Sequence, residues 1–270
     1  MSLTGTLVRL ENFYSKHVAF RNVDVWLPPG YDPEGMERYP VLYMHDGQNL
    51  FDDSISYGSI SWGIDRALLS LLEEEKIRPT IVIGIWNSGI RWRDYMPQKP
   101  YESPTFKKHR KDFHITAGGP SISDSYLNFL VEELKPFIDR HYNTLPDQAN
   151  TFVMGSSMGG LISLYAISEY PHIFGGAGCI STHWPIGGME LVDEMARSLP
   201  DPARHRLYFD FGTETLDRLY EPFQRRMDRH LRQAGYIEGQ NWVTLKCEGA
   251  EHSERSWRER VEIPLSFLLG

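Results

Sequence analysis

The sequence predicts an α/β fold, and three observations support this prediction. Short β-rich runs alternate with longer helical stretches along the chain. The continuous apolar run at residues 80–86 is typical of a strand that is buried on both faces. The 270 residues contain no internal repeat, no linker and no break in composition, so a single domain over residues 1–270 is expected.

The apolar pattern gives the order of the elements. Strands are predicted at residues 6–10, 19–27, 40–45, 80–86, 150–155, 174–180, 206–211 and 241–247. Helices are predicted at residues 62–76, 125–142, 158–170, 189–199, 217–234 and 253–269. Prolines and glycines mark the boundaries: Pro79 and Pro171 follow two of the helices, and Gly235 follows a third.

Composition excludes several classes of protein. The formal net charge of −8 argues against binding driven mainly by nucleic-acid phosphates or an anionic membrane, because both require a basic surface. Cys179 and Cys247 cannot build a disulfide framework and lack the spacing of a zinc or redox motif. No apolar run approaches the roughly 20 residues of a membrane helix, and no signal peptide is visible. We therefore expect a cytoplasmic protein that binds neither nucleic acid nor membrane.

A G-x-S-x-G pattern occupies residues 155–159, with Ser157 at its centre. It follows a β-rich run and opens a helical run, which is the strand–turn–helix setting of a nucleophile elbow. A serine on so sharp a turn leaves no room for side chains two residues to either side, which explains Gly155 and Gly159. The helix start would direct backbone N–H groups, including that of Met158, toward developing negative charge. The pattern therefore predicts Ser157 as a nucleophile.

A nucleophilic serine requires a base, and in this arrangement the chain order is serine, acid, histidine. His252 follows the last predicted strand, where a loop at the carboxyl edge of the sheet can reach the serine. His183, after the strand that follows the serine, is the alternative. His230 lies inside a predicted helix beside Arg229, which favours a solvated position. We predict His252 as the base.

The acid that orients the base is expected beyond the strand at residues 206–211. Glu214 and Asp217 both lie near the carboxyl end of that strand. Glu214 is nearer to the strand and has the longer side chain. Asp217 would be presented from the start of a helix, which stabilises an ionised carboxylate. The sequence favours Asp217 and leaves Glu214 open.

The loop after the strand at residues 40–45 is expected to supply a second N–H group to the oxyanion. Gly47 permits close approach of the backbone, and the N–H of Gln48 is the predicted partner of the N–H of Met158. Nearby acidic and histidine side chains have no spacing that fits a zinc or calcium site. They are His45, Asp46, Asp52 and Asp53. Neither a metal nor a cofactor is expected.

Residues 87–121 form a long stretch rich in proline, lysine and aromatic residues, with no clear period. Structureless segments of this length are uncommon in a compact domain and tend to be functional. The stretch follows the buried strand at residues 80–86, and the carboxyl ends of such strands face the site in open α/β sheets. We predict an irregular lid or pocket-wall insertion over Ser157.

Five segments resemble, in the same order, the family of α/β-hydrolases known as putative esterases. This family includes feruloyl-type and siderophore esterases, S-formylglutathione hydrolase and the mycolyltransferases. The segments are VLYMHDGQNLFD, RWRDYMP, VMGSSMGG, DFGTETLD and GAEHSERSW, and the resemblance spans roughly residues 18–268. It implies an α/β-hydrolase fold, with a mostly parallel central sheet and helices on both faces, and a metal-free hydrolase.

The resemblance also implies roles for single residues. It puts the nucleophile at Ser157, the base at His252, and the oxyanion N–H groups at Gln48 and Met158. Relatives often carry the acid three residues after the glycine that ends the strand, and here that position is Thr215. The resemblance therefore leaves Glu214 and Asp217 unresolved.

The motifs and the resemblance predict a serine carboxylesterase that hydrolyses an ester through an acyl-enzyme on Ser157. An acyltransferase with the same acyl-enzyme, or a non-catalytic ligand-binding protein on the same scaffold, stays open as an alternative. Aromatic residues on or near the predicted loops favour a small-molecule or sugar-linked ester, because rings stack on both. They are Trp62, Trp86, Trp92, Tyr95, Tyr101, Phe106 and Trp184. The sequence makes no prediction of oligomeric state.

Overall fold

Eight strands form one sheet in the order β1-β2-β4-β3-β5-β6-β7-β8, in a computed structural model that describes residues 4–270. The strands are β1 (Thr6–Phe13), β2 (Arg21–Leu27), β3 (Val41–His45), β4 (Ile81–Ile85), β5 (Thr151–Ser156), β6 (Gly176–Ile180), β7 (Arg206–Gly212) and β8 (Trp242–Cys247). β2 is antiparallel to both of its neighbours, and every other pair is parallel. The predicted mostly parallel sheet is confirmed, and each predicted strand overlaps an observed one.

Helices cover both faces of the sheet. They are α1 (Ile64–Glu73), α2 (Arg91–Tyr95), α3 (Gln98–Glu102), α4 (Lys107–Ala117), α5 (Ser123–Asn128), α6 (Lys135–His141), α7 (Met158–Glu169), α8 (Gly188–Ala196), α9 (Glu221–Gln233), α10 (Glu254–Arg258) and α11 (Glu262–Leu269). Side chains alternate along a strand, so Leu42 and Met44 of β3 pack with α1 and α11, whereas Val41 and Tyr43 pack with the helices of the other face. The prediction of helices on both faces is confirmed.

The helix predicted at residues 217–234 begins later than expected. Asp217–Leu219 form a separate 3-10 turn, and α9 starts at Glu221. Pro222 lies in the first turn of α9, where its missing N–H costs no hydrogen bond. Asp217 is therefore held in the loop after β7, not at the start of the long helix as the sequence had indicated.

The last predicted helix, residues 253–269, is two helices. α10 ends at Arg258 and α11 begins at Glu262. Pro264 lacks the N–H that a continuous helix would bond to the carbonyl of Arg260. The break gives α10 its own direction, independent of α11.

The prediction that residues 87–121 are irregular is wrong, because α2, α3 and α4 lie within them. α2 and α3 have five residues each, too few to show a helical period in the sequence. α4 is polar on almost every side and buries only Phe113, so it has no apolar stripe. Across residues 4–270, no helix has the length and apolar character needed to cross a membrane.

Candidate active site

Ser157 occupies the turn between β5 and α7. Its backbone has φ 59° and ψ −119°, a strained conformation for a residue with a side chain, and its N–H donates to the carbonyl of Ile180 at 2.9 Å. A Cβ on Gly155 would lie 2.9 Å from the backbone of Gly159, so this position tolerates only glycine. Ser157 thus lies on a strained turn between a strand and a helix.

The loop after β3 approaches the same point from the neighbouring strand. Asp46 has φ 59°, and the 3-10 turn at Gly47–Asn49 follows it. A Cβ on Gly47 would lie 2.4 Å from the backbone of Gly84, so glycine allows this loop to lie directly on β4. Gln48 lines the cavity that Ser157 lines, and Met158 begins α7, whose first-turn N–H groups have no acceptor within the helix. Gln48 therefore lines the same cavity as Ser157, and Met158 follows the serine directly in the chain.

His252 and Asp217 are in direct contact. Nδ1 of His252 lies 2.6 Å from Oδ1 of Asp217, which is fully buried. Oδ2 of Asp217 accepts hydrogen bonds from the N–H of Gly212 at 2.7 Å and from the hydroxyl of Ser181 at 2.6 Å. Burial acts to raise the pKa of Asp217, but these hydrogen bonds and the neighbouring His252 outweigh it and lower the pKa. The carboxylate is therefore ionised at neutral pH.

The second candidate acid lies outside this cluster. Glu214 is exposed, and its backbone N–H donates to the carbonyl of Ala250 at 3.0 Å. Thr215, which holds the position where relatives often carry the acid, has φ 49°, and its hydroxyl accepts from the N–H of His252 at 2.9 Å. Thr215 thus holds the backbone of His252, whereas Asp217, two residues later, contacts the imidazole ring of His252.

The alternative histidines have other partners. Nδ1 of His183 lies 2.6 Å from the hydroxyl of Tyr220, and burial lowers the pKa of His183 to about 4, which keeps it neutral near pH 7. Nε2 of His230 lies 2.8 Å from Asp193 on the outer surface. His183 nevertheless lies beside the site, since its ring is 6.5 Å from that of His252.

An ion pair that the sequence did not single out supports the loop after β3. Arg91 of α2 donates to both carboxylate oxygens of Asp46, at 2.7 and 2.6 Å, and the side-chain amide of Asn87 donates to the same carboxylate at 2.6 Å. Burial acts against the charge of Asp46, yet Arg91 and Asn87 lower its pKa. Asp46 and Arg91 lie in two of the segments that carry the family resemblance, which is the signal that could have found them.

A cavity of about 480 Å³ opens in front of Ser157 and His252. Three rings line it, those of Tyr57, Trp92 and Trp257. Only Trp92 was among the predicted rings. Most of the others are buried in the core, where they fill space between elements; these are Trp62, Tyr95, Tyr101, Phe106 and Trp184. Trp86 instead lies under the Arg9 guanidinium, away from the cavity.

Residues 87–121 leave the sheet at its carboxyl edge, where β4 ends, and only their first part reaches the cavity. Asn87, Arg91 and Trp92 line it. Further along, the hydroxyl of Ser103 donates to Glu194 of α8 at 2.9 Å, and Lys108 of α4 pairs with Glu190 of α8. The segment thus begins as a wall of the cavity and continues over α8.

The described residues contain no group of three or more histidine, cysteine or acidic side chains arranged to hold a metal ion. His45, from the loop that carries four such residues, is fully buried, and its Nδ1 lies 2.8 Å from the hydroxyl of Tyr126. Asp53 accepts from the N–H of Ser61 at 2.8 Å and pairs with Arg258. Asp53 and Nδ1 of His45 are thus held by protein partners.

The parallel sheet, the serine on a strained turn after β5 and the histidine beyond β8 define the class of α/β-hydrolases. The chain belongs to the family described as Putative esterase, whose model matches residues 19–261. It is therefore an enzyme that hydrolyses ester bonds, and the predicted family is confirmed.

The chain is also similar to individual proteins and solved structures. The Bacillus subtilis protein YbbA, described as uncharacterized, is 25% identical over 270 residues, which is 97% of this chain and 98% of YbbA. A solved ferulic acid esterase aligns with a TM-score of 0.71 at 14% identity, over 100% of this chain and 99% of that one. An IroE-like serine hydrolase from Shewanella oneidensis aligns with a TM-score of 0.71 at 20% identity, over 98% and 79%. The structural likeness confirms the predicted α/β-hydrolase fold.

Proposed function

We propose that this esterase is a serine carboxylesterase with Ser157 as nucleophile, His252 as base and Asp217 as acid. The observation that carries the proposal is the contact of 2.6 Å between His252 and Asp217, beside a cavity that the strained Ser157 lines together with His252. Glu214, the other candidate acid, is exposed, and for this reason Asp217 is preferred.

The proposed reaction follows from the partners of the imidazole. Asp217 accepts a hydrogen bond from Nδ1–H of His252, so the lone pair of Nε2 is free to take the serine proton. Oγ of Ser157 then attacks the ester carbonyl carbon while Nε2 receives that proton. The tetrahedral intermediate collapses, the bond to the leaving oxygen breaks, and Nε2–H protonates the departing alkoxide. Water attacks the acyl-enzyme by the same route and restores Ser157.

The backbone N–H groups of Gln48 and Met158 are proposed to hold the oxyanion of that intermediate. Gln48 lies in the 3-10 turn after β3 and Met158 begins α7, so one donor comes from each of two elements at the carboxyl edge of the sheet. Loss of one donor of this kind typically costs roughly 3 kcal/mol in the barrier. The ion pair of Asp46 with Arg91 supports this role, because it fixes the loop that carries Gln48.

A small-molecule or sugar-linked ester with an aromatic part is the proposed substrate. The volume of about 480 Å³ suits a small ligand, and the rings of Tyr57, Trp92 and Trp257 offer faces on which an aromatic or sugar ring can stack. The likeness to a ferulic acid esterase supports an aromatic acyl group. Residues 87–121 are proposed to be a pocket-wall insertion of a single domain, with Trp92 as the ring that they contribute.

A panel of esters tests the proposal. Feruloyl, acetyl-xylan, siderophore and thioester substrates are assayed with the wild type and with Ser157→Ala as control. We expect turnover that is fastest on the feruloyl ester and absent in the variant. A product formed by transfer to an added sugar in preference to water would indicate an acyltransferase. A wild type that turns over none of these substrates and takes no label from a fluorophosphonate probe would indicate a ligand-binding protein.

A further inference from the structure

Ser181 lies directly after β6, beneath the histidine loop, and is fully buried. Its φ of 40° is in the left-handed region, which a serine occupies only at a cost. Its N–H donates to Asp210, to the backbone carbonyl at 3.0 Å and to Oδ1 at 3.1 Å. The chain thus holds a strained residue with a hydroxyl at a point where glycine would meet no such strain.

The hydroxyl of Ser181 has three partners, and their chemistry fixes its direction. Nε1 of Trp257 and a terminal nitrogen of Arg260 donate to it, at 3.0 and 2.9 Å, and neither group can accept a hydrogen bond. Both lone pairs of the hydroxyl are therefore occupied. The hydroxyl proton of Ser181 therefore points to Oδ2 of Asp217, which lies 2.6 Å from Oγ of Ser181. The hydroxyl can only donate to the carboxylate.

Because the Ser181 hydroxyl donates to Oδ2, the two carboxylate oxygens of Asp217 have different partners. Oδ2 receives the Ser181 hydroxyl and the N–H of Gly212, whereas Oδ1 faces Nδ1 of His252. We infer that Ser181 is a positioning residue. It fixes the plane of the Asp217 carboxylate so that only Oδ1 accepts a hydrogen bond from the imidazole of His252. The inference rests on the roles proposed above for His252 and Asp217.

A buried ion pair anchors this arrangement. Arg260 donates to both oxygens of Asp210, at 3.1 and 3.0 Å, while it also donates to Ser181. Trp257 donates to Ser181, and its ring lies edge-on to His252 with 5.0 Å between the centroids. Trp257 of α10 and Arg260 of the turn into α11 thus hold the Ser181 hydroxyl, while Asp210 of β7 holds its backbone N–H, so that the position of Ser181 against the acid is fixed.

The test removes the Ser181 hydroxyl in two ways, once with and once without relief of the backbone strain. Ser181→Gly accepts the positive φ, and Ser181→Ala, which keeps Cβ, is measured beside it. Tyr208→Phe is the matched control, because the Tyr208 hydroxyl bonds Oδ2 of Asp210 at 3.1 Å, on the same ion pair, and makes no bond to Asp217. For each protein, kcat, KM and the pH profile of kcat/KM on an aryl ester are measured, with thermal unfolding as a check of folding.

We expect both Ser181 variants to lose at least about tenfold in kcat with KM within about twofold, because a misplaced acid disturbs geometry that the reaction needs and not ground-state binding. The acidic limb of the profile should move to higher pH, since Asp217 loses a donor to its charged form. Tyr208→Phe should stay within about twofold of the wild type. Ser181 variants with wild-type kcat, Ser181 variants that do not fold, or a Tyr208→Phe loss equal to theirs would overturn the inference. A wild type without Ser157-dependent turnover overturns both this inference and the proposed function.

Discussion

At the scale of single residues, the orientation of one imidazole depends on which carboxylate it contacts. Asp217→Asn keeps the shape of the side chain and removes its charge, so Nδ1–H of His252 loses its acceptor and the ring favours the wrong tautomer. We expect kcat to fall on the order of 10³- to 10⁴-fold. Glu214→Gln, at the exposed candidate, should change kcat less than twofold on the same aryl ester. A larger loss in Glu214→Gln than in Asp217→Asn would contradict the assignment.

Two histidines lie beside the serine, and their partners separate their roles. His252→Ala should abolish ester turnover, because the His252 ring is the imidazole that contacts Asp217. His183→Gln keeps an acceptor for the Tyr220 hydroxyl and should retain most of kcat. Steady-state assays and thermal unfolding check both variants. If His252→Ala kept activity within tenfold of the wild type, the base would be reassigned to His183.

At the scale of elements, the elbow requires glycine where β5 and α7 meet. Gly155→Ala puts a Cβ 2.9 Å from the backbone of Gly159, so the turn must shift. We expect the free energy of unfolding to fall by about 1–3 kcal/mol, as in other overpacked sites, and kcat to fall with it. Gly89→Ala is the matched control, since nothing lies within 4 Å of its added Cβ. Urea unfolding measures both variants, and equal stability of the two would refute this account of the elbow.

The elements differ in how far the sequence could predict them. Strands β2 to β7 were predictable because their apolar runs are short, bounded by turns and buried. The turn at Ser157 was predictable because Gly155 is required by its contact with the backbone of Gly159. The start of α9 was missed because its polar and apolar residues continue the helical period back to Asp217, whereas Pro222 sets the real start. Ser181 was not predictable at all, because its function depends on partners 29–79 residues away in the chain.

At the scale of the whole molecule, the site is assembled where parallel strands end. β3 leads to Gln48, β5 to Ser157, β7 to Asp217 and β8 to His252. Because the carboxyl ends of parallel strands meet at one edge, residues more than 200 positions apart in the chain come together there. Each loop is anchored by its strand, so the sheet fixes the distances that the proposed reaction needs.

His45, which is buried, and His183, which is half-buried, make the stability of the whole chain depend on pH. Burial lowers the pKa of His45 to about 3 and that of His183 to about 4, below the value of about 6.5 in an unfolded chain. Below pH ~6.5 the unfolded chain binds protons that the folded chain does not, so stability is complete above that pH and is lost as pH falls toward 4. Each histidine should contribute a slope of at most about 1.4 kcal/mol per pH unit in this window.

Urea unfolding between pH 4.5 and 7.5 measures this dependence. His183→Gln is the matched variant, because glutamine does not titrate and still accepts from Tyr220. We expect the variant to lower the average slope between pH 4.5 and 6.5 by roughly 1 kcal/mol per pH unit relative to the wild type. Equal slopes in the two proteins would mean that His183 takes up its proton in the folded state.

The proposed reaction depends on an acyl-enzyme on Ser157, and the formation of this intermediate can be counted directly. In rapid mixing with excess p-nitrophenyl acetate, acylation that precedes a slower deacylation releases a burst of p-nitrophenol. We predict a burst of one equivalent per enzyme molecule, abolished together with steady-state turnover in Ser157→Ala, and an acetyl group on Ser157 when the quenched protein is analysed by mass spectrometry. Turnover that persists in Ser157→Ala, or an acetyl group found on another residue, would contradict the account.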